Sequence, residues 1–324
     1  MTAALEIKNL RKVYTERSGL FGLGEQKHVV AVDDVSLTLH PGETLCLVGE
    51  SGCGKTTVGR LALRLTEPTD GSVSLAGMTL KGGGPDELSQ WRRRIQMVFQ
   101  DPFACLNPRM SSAQIVAEPI DCLKLAEGQA RERRISELFD QVGLPQAFKE
   151  RRPRELSGGQ RQRLGIARAL AANPRVIVAD EAVAALDVSI RSQVLNLLKE
   201  VQKETGVAYL FISHDLSVVR YLADHVAVMY LGAVVETGTA DQIFNAPSHP
   251  YTRALIASVP ATHPSRRGKS AALSGEVPSP YNIPSGCRFR TRCPLATDLC
   301  AEQRPEMRSR GPDMSVACHH SLAT

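Results

Sequence analysis

No run in these 324 residues comes near the roughly 18 consecutive apolar residues that a bilayer-spanning helix needs. The opening Met-Thr-Ala-Ala-Leu-Glu-Ile-Lys also lacks the basic segment and apolar core of a secretory signal. The chain is therefore expected in the cytoplasm, with any membrane association made through a partner. Aromatic residues are scarce, at 5% of the chain with a single Trp. A net charge of +5 and a pI of about 8.8 invite a nucleic-acid reading. However, Arg131, Arg133, Arg134, Arg161, Arg163 and Arg168 are scattered through helical stretches with no aromatic residues interleaved, so no nucleic-acid partner is expected. Internal repeats are also missing, which points to one module and not a fused pair. Cysteine is not scarce. Cys46, Cys53, Cys105 and Cys122 lie far apart, mostly in apolar surroundings, and read as small hydrophobes. Cys287, Cys293, Cys300 and Cys318 fall together near the end, where a cytosolic setting suggests metal before disulfides.

The length allows one large α/β domain with an appendage. Residues 5–13 alternate polar and apolar and predict a strand, 15–28 are Gly-rich and predict a loop, and 29–39 alternate again up to His40-Pro41-Gly42. An apolar strand over 44–48 precedes a helical run over 55–65, and a short strand over 72–75 follows Pro68-Thr69-Asp70-Gly71. The stretch 110–150 is helical, with Ile135, Leu138, Phe139 and Val142 on one face and Gly143 as a stop. Fully apolar strands are predicted over 175–180 and 207–213, flanking an amphipathic helix over 189–204. After residue 258 the composition turns to Pro, Ser, Gly, Arg and Cys. The expected organisation is α/β: a nucleotide-binding domain over 1–258 with an antiparallel β portion and a helical part over 101–165, then a small Cys-rich domain over 259–324.

Residues 49–56 read Gly-Glu-Ser-Gly-Cys-Gly-Lys-Thr, the phosphate-cradling pattern G-x-x-x-x-G-K-[ST] between a strand and a helix. Gly49, Gly52 and Gly54 let the backbone curl so that its N–H groups face phosphate oxygens. The candidate set is Gly49, Glu50, Ser51, Gly52, Cys53, Gly54, Lys55, Thr56 and Thr57. Lys55 supplies charge for the β/γ-phosphates, and the Thr56 hydroxyl is placed for Mg²⁺. At 176–181, Val-Ile-Val-Ala-Asp-Glu is an apolar strand ending in two carboxylates. Asp180 suits Mg²⁺, and Glu181 suits a general base acting on water. The blander reading of such a pair is a cap on the following helix.

Leu156-Ser157-Gly158-Gly159-Gln160 resembles the signature of ABC-type ATPases. Placed before a helix, the Ser157 hydroxyl and the helix N–H groups suit an anion. The resemblance implies a P-loop ABC ATPase with a RecA-like core, in which Ser157, Gly158, Gly159 and Gln160 face the γ-phosphate held by an opposite subunit. It further implies that Gln100 contacts Mg²⁺ and water, that His214 reaches the γ-phosphate, that Asp187 lies on a loop crossing the dimer interface, and that Tyr14 stacks on adenine.

The resemblance narrows over nearly the whole chain. Gln100-Asp101-Pro102-Phe103, Leu106-Asn107-Pro108-Arg109-Met110, Val228-Met229-Tyr230-Leu231-Gly232, His249-Pro250-Tyr251-Thr252 and Gly286-Cys287-Arg288-Phe289 with Arg292-Cys293-Pro294 look like the dipeptide/oligopeptide importer ATPases, nearer the "F" partner of these two-ATPase systems. Ala182 and Ala184 depart from the family's proline and serine. The implied partners are a second ATPase, two transmembrane permeases and an extracytoplasmic solute-binding protein. The implied place is the cytoplasmic face of the inner membrane, with Phe103 and Leu106 toward a permease or packed in the core. Cargo in this family spans peptides, glutathione, nickel chelates and oligosaccharides. The competing reading is a soluble ABC ATPase in translation or DNA repair. The tail spacing C-x₅-C-x₆-C-x₁₇-C suits a [4Fe–4S] cluster, with zinc as the alternative, holding Cys287, Cys293, Cys300 and Cys318 in a structural staple.

Overall fold

The computed structural model describes residues 2–17, 26–80, 84–258 and 275–322. In chain order the first elements are β1 (Leu5–Arg17), β2 (Gln26–Leu39), β3 (Thr44–Val48), α1 (Lys55–Ala62), β4 (Asp70–Leu75) and β5 (Met78–Thr79). Then come α2 (Pro85–Arg94), β6 (Ile95–Val98), α3 (Pro102–Cys105), α4 (Ser112–Cys122), α5 (Gly128–Gln141) and α6 (Gly158–Leu170). These are followed by β7 (Val176–Asp180), α7 (Val188–Thr205), β8 (Ala208–Ser213), α8 (Leu216–Leu222), β9 (His225–Tyr230) and β10 (Ala233–Thr239). The chain closes with α9 (Ala240–Asn245), α10 (Pro250–Ala257), α11 (Asp298–Glu302), β11 (Arg308–Gly311) and β12 (Met314–Val316). It divides into two compact units: Met1–Glu6, Thr38–Thr44 and Val73–Ile212 form one, and Ile7–Leu37, Leu45–Ser72 and Ser213–Thr324 the other.

In the first unit β7 lies parallel between β6 and β8, with Ile95 opposite Val176 and Val176 opposite Ala208. Every residue of β7 and β8 is buried, which is why Val176–Asp180 and Ala208–Ser213 carry continuous apolar runs and not alternation. α5 buries Ile135, Leu138 and Phe139 along one stripe, at the spacing the sequence shows. α7 buries Val194, Leu195, Leu197, Leu198 and Val201 and stops at Gly206, whose φ of 69° is left-handed and natural for glycine. α4 and α6 both start on a reciprocal serine–glutamine cap, Ser111 with Gln114 and Ser157 with Gln160.

In the second unit β3 runs parallel to β9, and the strands β10, β12 and β11 follow outward from β9 by antiparallel pairing. The tail therefore contributes two strands to the sheet that carries β3. It also contributes to the core: Phe289 packs edge-on to Tyr230 at 5.3 Å and against Tyr251 at 5.4 Å, all three rings being buried. Gly286 sets up this insertion. Its φ is 62°, and a Cβ there would meet the Cys300 carbonyl oxygen at 2.4 Å.

Several expectations change. The loop over 15–28 is shorter than its composition suggests, because β1 persists to Arg17 and β2 begins at Gln26; residues 18–25 lie outside the described residues. The boundary placed after residue 258 falls against 259–274, also outside them. Cys46 and Cys53 are buried as expected, but Cys105 is half-buried and Cys122 is exposed at the end of α4.

Candidate functional site

The second unit holds the glycine-rich loop. Gly49 follows the last residue of β3 with φ 151°, and a Cβ there would stand 2.2 Å from the Met229 carbonyl oxygen. Gly54, at φ 104°, would bring a Cβ to 2.2 Å from the Ala31 carbonyl oxygen. Only glycine allows this close backbone approach. Lys55 is buried, and its ammonium donates to the carbonyls of Gly49 at 2.8 Å and Glu50 at 3.0 Å, with Cys53 Sγ at 3.7 Å. Burial pushes the Cys53 thiol up, against the pull of the Lys55 charge, so it is a neutral packing group. α1 begins at Gly54 without any side-chain cap. Its first N–H groups and the Lys55 charge therefore point to an anion at this helix start, and the loop fits a nucleotide's phosphates.

The first unit holds the acids. Asp180 ends β7, buried, and Glu181 turns out of the strand with φ 47°, a left-handed conformation that a non-glycine residue adopts at a cost. The Glu181 N–H donates to the Ile212 carbonyl at 2.9 Å, and its carboxylate accepts from Gln100 Nε2 at 2.8 Å. Gln100 and Glu181, 81 residues apart, are thus brought together. The turn closes with Ala184 N–H on the Glu181 carbonyl at 3.0 Å, and Ala182 is buried. The Ser157 hydroxyl oxygen accepts from Gln160 N–H at 3.3 Å, and Ser157 N–H donates to Gln160 Oε1 at 2.9 Å. A Cβ on Gly159 would meet Ile190 Cγ2 at 2.5 Å, and one on Gly158 would meet Leu186 Cδ2 at 3.8 Å. The signature turn therefore packs beside the segment bearing Asp187, which precedes α7 without a side-chain capping hydrogen bond, and Val188 next to it is 77% exposed.

Two family models match this chain: ABC transporter over residues 32–184, and oligopeptide/dipeptide transporter, C-terminal region, over 235–300. The oligopeptide transport ATP-binding protein AppF of Bacillus subtilis is 49% identical over 331 residues, covering 98% of this chain and 99% of that protein. The chain belongs to the ABC transporter ATP-binding proteins. The dipeptide transport ATP-binding protein DppF of Haemophilus influenzae is 45% identical over 319 residues, covering 98% and 97%. Among solved structures, the ATP-binding cassette MJ0796, a post-hydrolysis dimer bound to ADP and Pi, aligns with TM-score 0.63 and 30% identity over 73% of this chain and 98% of that one. The cassette cbiO1 from Clostridium perfringens, part of the cbiONQ transporter complex, aligns with TM-score 0.65 and 25% identity over 76% and 92%. As an ABC ATP-binding subunit the chain hydrolyses ATP in transport, and the alternative in translation or DNA repair is not supported.

Other residues of this ABC subunit are less uniform. Tyr14 is half-buried on β1, with Lys12 Nζ 5.1 Å from its ring centroid, and His214 is exposed after β8. Phe103 is 52% exposed, whereas Leu106 is buried and belongs to the core, not to a permease-facing surface. No described helix is long and apolar enough to cross a membrane.

The four tail cysteines are free thiols within electrostatic reach of one another. Burial, and then the charges of Cys287, Cys293 and Cys300, push Cys318 up to about 11; burial also raises Cys287 and Cys293. Among the described residues, however, no three His, Cys, Asp or Glu side chains are set to hold a metal ion. The structure by itself therefore does not assemble the expected iron–sulfur or zinc staple among the described residues. Of the four, only Cys287 borders the nearby cavity of about 380 Å³. The tail is held by strand pairing, by Phe289 and by ion pairs. Asp33 alone receives Arg288, Arg304 at 2.7 Å and Arg11 at 3.4 Å. Sequence reasoning missed these arginines. The one available signal was Arg-Phe-Arg-Thr-Arg at 288–292, too many charges for a stretch that also carries a core aromatic.

Proposed function

We propose that this chain is the ATP-hydrolysing subunit of a peptide importer. It would act at the cytoplasmic face of the membrane with a second ATPase, two permeases and an extracytoplasmic solute-binding protein. The observation that carries this reading is the match to oligopeptide and dipeptide transport ATP-binding proteins across 98% of the chain, tail included. Mg²⁺-ATP would be held by the backbone of 49–57, by Lys55 and Thr56, and by Asp180, and the metal would supply neutralising charge to the phosphates. Tyr14 would stack on adenine, Gln100 and His214 would sense the γ-phosphate, and Glu181 would take the proton of the attacking water. The hydrogen bond from Gln100 holds the Glu181 carboxylate in place for that transfer. Ser157, Gly158, Gly159, Gln160 and Asp187 would serve the partner ATPase's nucleotide, a role suited to the exposure of Ser157, Gly158 and Asp187 on one packed turn. The finer reading of the tail, a [4Fe–4S] cluster or Zn²⁺ on the four cysteines, rests on their mutual proximity, and iron and zinc analysis of anaerobically purified chain tests it. No step of ATP chemistry depends on it.

Glu181→Gln is expected to keep ATP binding and to cut turnover by about 100-fold or more when both sites of the dimer carry it. Lys55→Ala is expected to weaken nucleotide binding itself. Normal turnover with both acids replaced would overturn the assignment.

A further inference from the structure

The tail reaches the glycine-rich loop through one side chain. Arg292, immediately before Cys293, is buried against Glu50, the second residue of the loop. Its Nη1 donates to Glu50 Oε2 at 2.6 Å and its Nη2 to Oε1 at 3.0 Å, a two-point fork that fixes orientation as well as distance. The Arg292 side chain is 4% exposed and that of Glu50 25%. Glu50 is tied at two more atoms. Its N–H donates to the Tyr251 hydroxyl at 3.0 Å, and its carbonyl accepts from Lys55 Nζ at 3.0 Å. A single residue thus joins a tail arginine to the lysine of the loop.

Arg292 is itself held in a frame. Its Nη1 lies 3.5 Å from the Tyr230 hydroxyl, and its guanidinium carbon 5.9 Å from the Tyr230 ring. Tyr230 in turn packs on Phe289, three residues before Arg292 on the same tail stretch. A buried ion pair is a poor way merely to fasten a tail, since apolar residues of similar volume do so at less desolvation cost. It is a good way to fix the direction of a loop, because a fork tolerates neither rotation nor retreat of its carboxylate.

We propose that Arg292 is a positioning residue for nucleotide binding: it holds Glu50, and through Glu50 the carbonyl facing Lys55, so that loop occupancy and the arrangement of the cysteine-bearing tail are linked. This rests on the reading of 49–57 as the phosphate-binding loop. Linkage is reciprocal, so whatever the tail does to ATP affinity, ATP does to the tail.

The test uses the full chain and Mg²⁺-ATP. Equilibrium titration of Arg292→Gln is expected to show at least about a fivefold rise in Kd, with Arg292→Lys recovering part of it. Arg292→Gln combined with Glu50→Gln should bind no worse than the weaker single variant, since both remove one interaction. In the unmodified chain ATP should slow amide hydrogen exchange of residues 287–292, read by mass spectrometry, by about threefold or more, and Arg292→Gln should abolish that protection. A merely structural salt bridge would lower the melting temperature and leave Kd and ATP protection as they were, which would overturn the proposal. Lys55→Ala separates the two readings. Lost binding there with unchanged affinity in Arg292→Gln overturns the link and leaves the loop assignment standing, whereas full binding in Lys55→Ala overturns both. Should Arg292→Gln fail to fold, equal amide exchange of residues 287–292 with and without ATP in the unmodified chain overturns the link.

Discussion

Two strands of the same length lead into the proposed ATP-binding loop and the proposed catalytic acid, and they end differently. β3 and β7 each have five residues, all buried, and each is followed by a residue with positive φ, Gly49 at 151° and Glu181 at 47°. After β3 the turn is made by glycine, and the groups proposed to meet phosphate are backbone N–H donors that need no side chain at the bend. After β7 the bend itself carries a carboxylate, with left-handed strain of about 1–2 kcal/mol at Glu181. On the proposed roles, binding draws on backbone and catalysis on a side chain held under strain, and the difference in residue type follows from that division.

Gly49→Ala is the strongest challenge to the first half of this comparison. A Cβ 2.2 Å from the Met229 carbonyl cannot be accommodated without moving the loop, so ATP affinity is expected to fall about tenfold or more with a lower melting temperature. Wild-type affinity in a calorimetric titration would show that the loop is more pliable than its packing implies.

Acid should expose a weakness particular to the second unit. Burial pushes the His249 ring down to about 3, and its Nδ1 accepts from Tyr251 N–H at 3.0 Å, which leaves the ring proton on Nε2. With the folded value depressed below the unfolded value of about 6.5, this contribution is complete above that pH and is lost as pH falls from there toward about 3. The loss is about 1.4 kcal/mol per pH unit. Glu236, which accepts from Ser248 and His249 N–H and whose carboxyl burial pushes up, acts in the opposite sense in both proteins compared. Urea unfolding at pH 6.5 and 5.5 should therefore show a steeper decline in the unmodified chain than in His249→Gln; parallel declines would count against a neutral buried ring.

The smallest effect sharpens the second half. Glu181→Gly should abolish turnover yet stabilise the first unit by about 0.5–1 kcal/mol, the relieved strain less the backbone entropy of glycine. Destabilisation in urea melts would mean that the bend is not strained.

The candidate ATP-site segments were legible because each is local. Residues 49–56, 156–160 and 176–181 each put their chemistry on one short strand-to-turn or turn-to-helix segment, so spacing alone fixes the geometry. Gln100 is singled out only through resemblance, and its hydrogen bond to Glu181 emerges only in the structure. Arg292 with Glu50 and Arg288 with Asp33 span 242 and 255 residues, and charge carries no periodicity by which such partners announce themselves. The cysteines are legible only in part for a related reason: spacing shows that four thiols can meet, not how closely their sulfurs converge.

The tail's last two strands decide where the sheet of the second unit ends. Without them its margin would be β10, whose Ala233, Val234 and Val235 are buried and whose Glu236 and Thr237 pair with Val316 and Ser315. With them the margin becomes Arg308-Ser309-Arg310-Gly311, exposed at every position and bearing two cations and a glycine. An apolar row of amides that could template strands from other molecules is thereby exchanged for a short charged one that repels them. The tail thus also serves colloidal solubility: a chain ending at Ala257 would be prone to stick to its own copies before any shortfall in ATP chemistry could be measured.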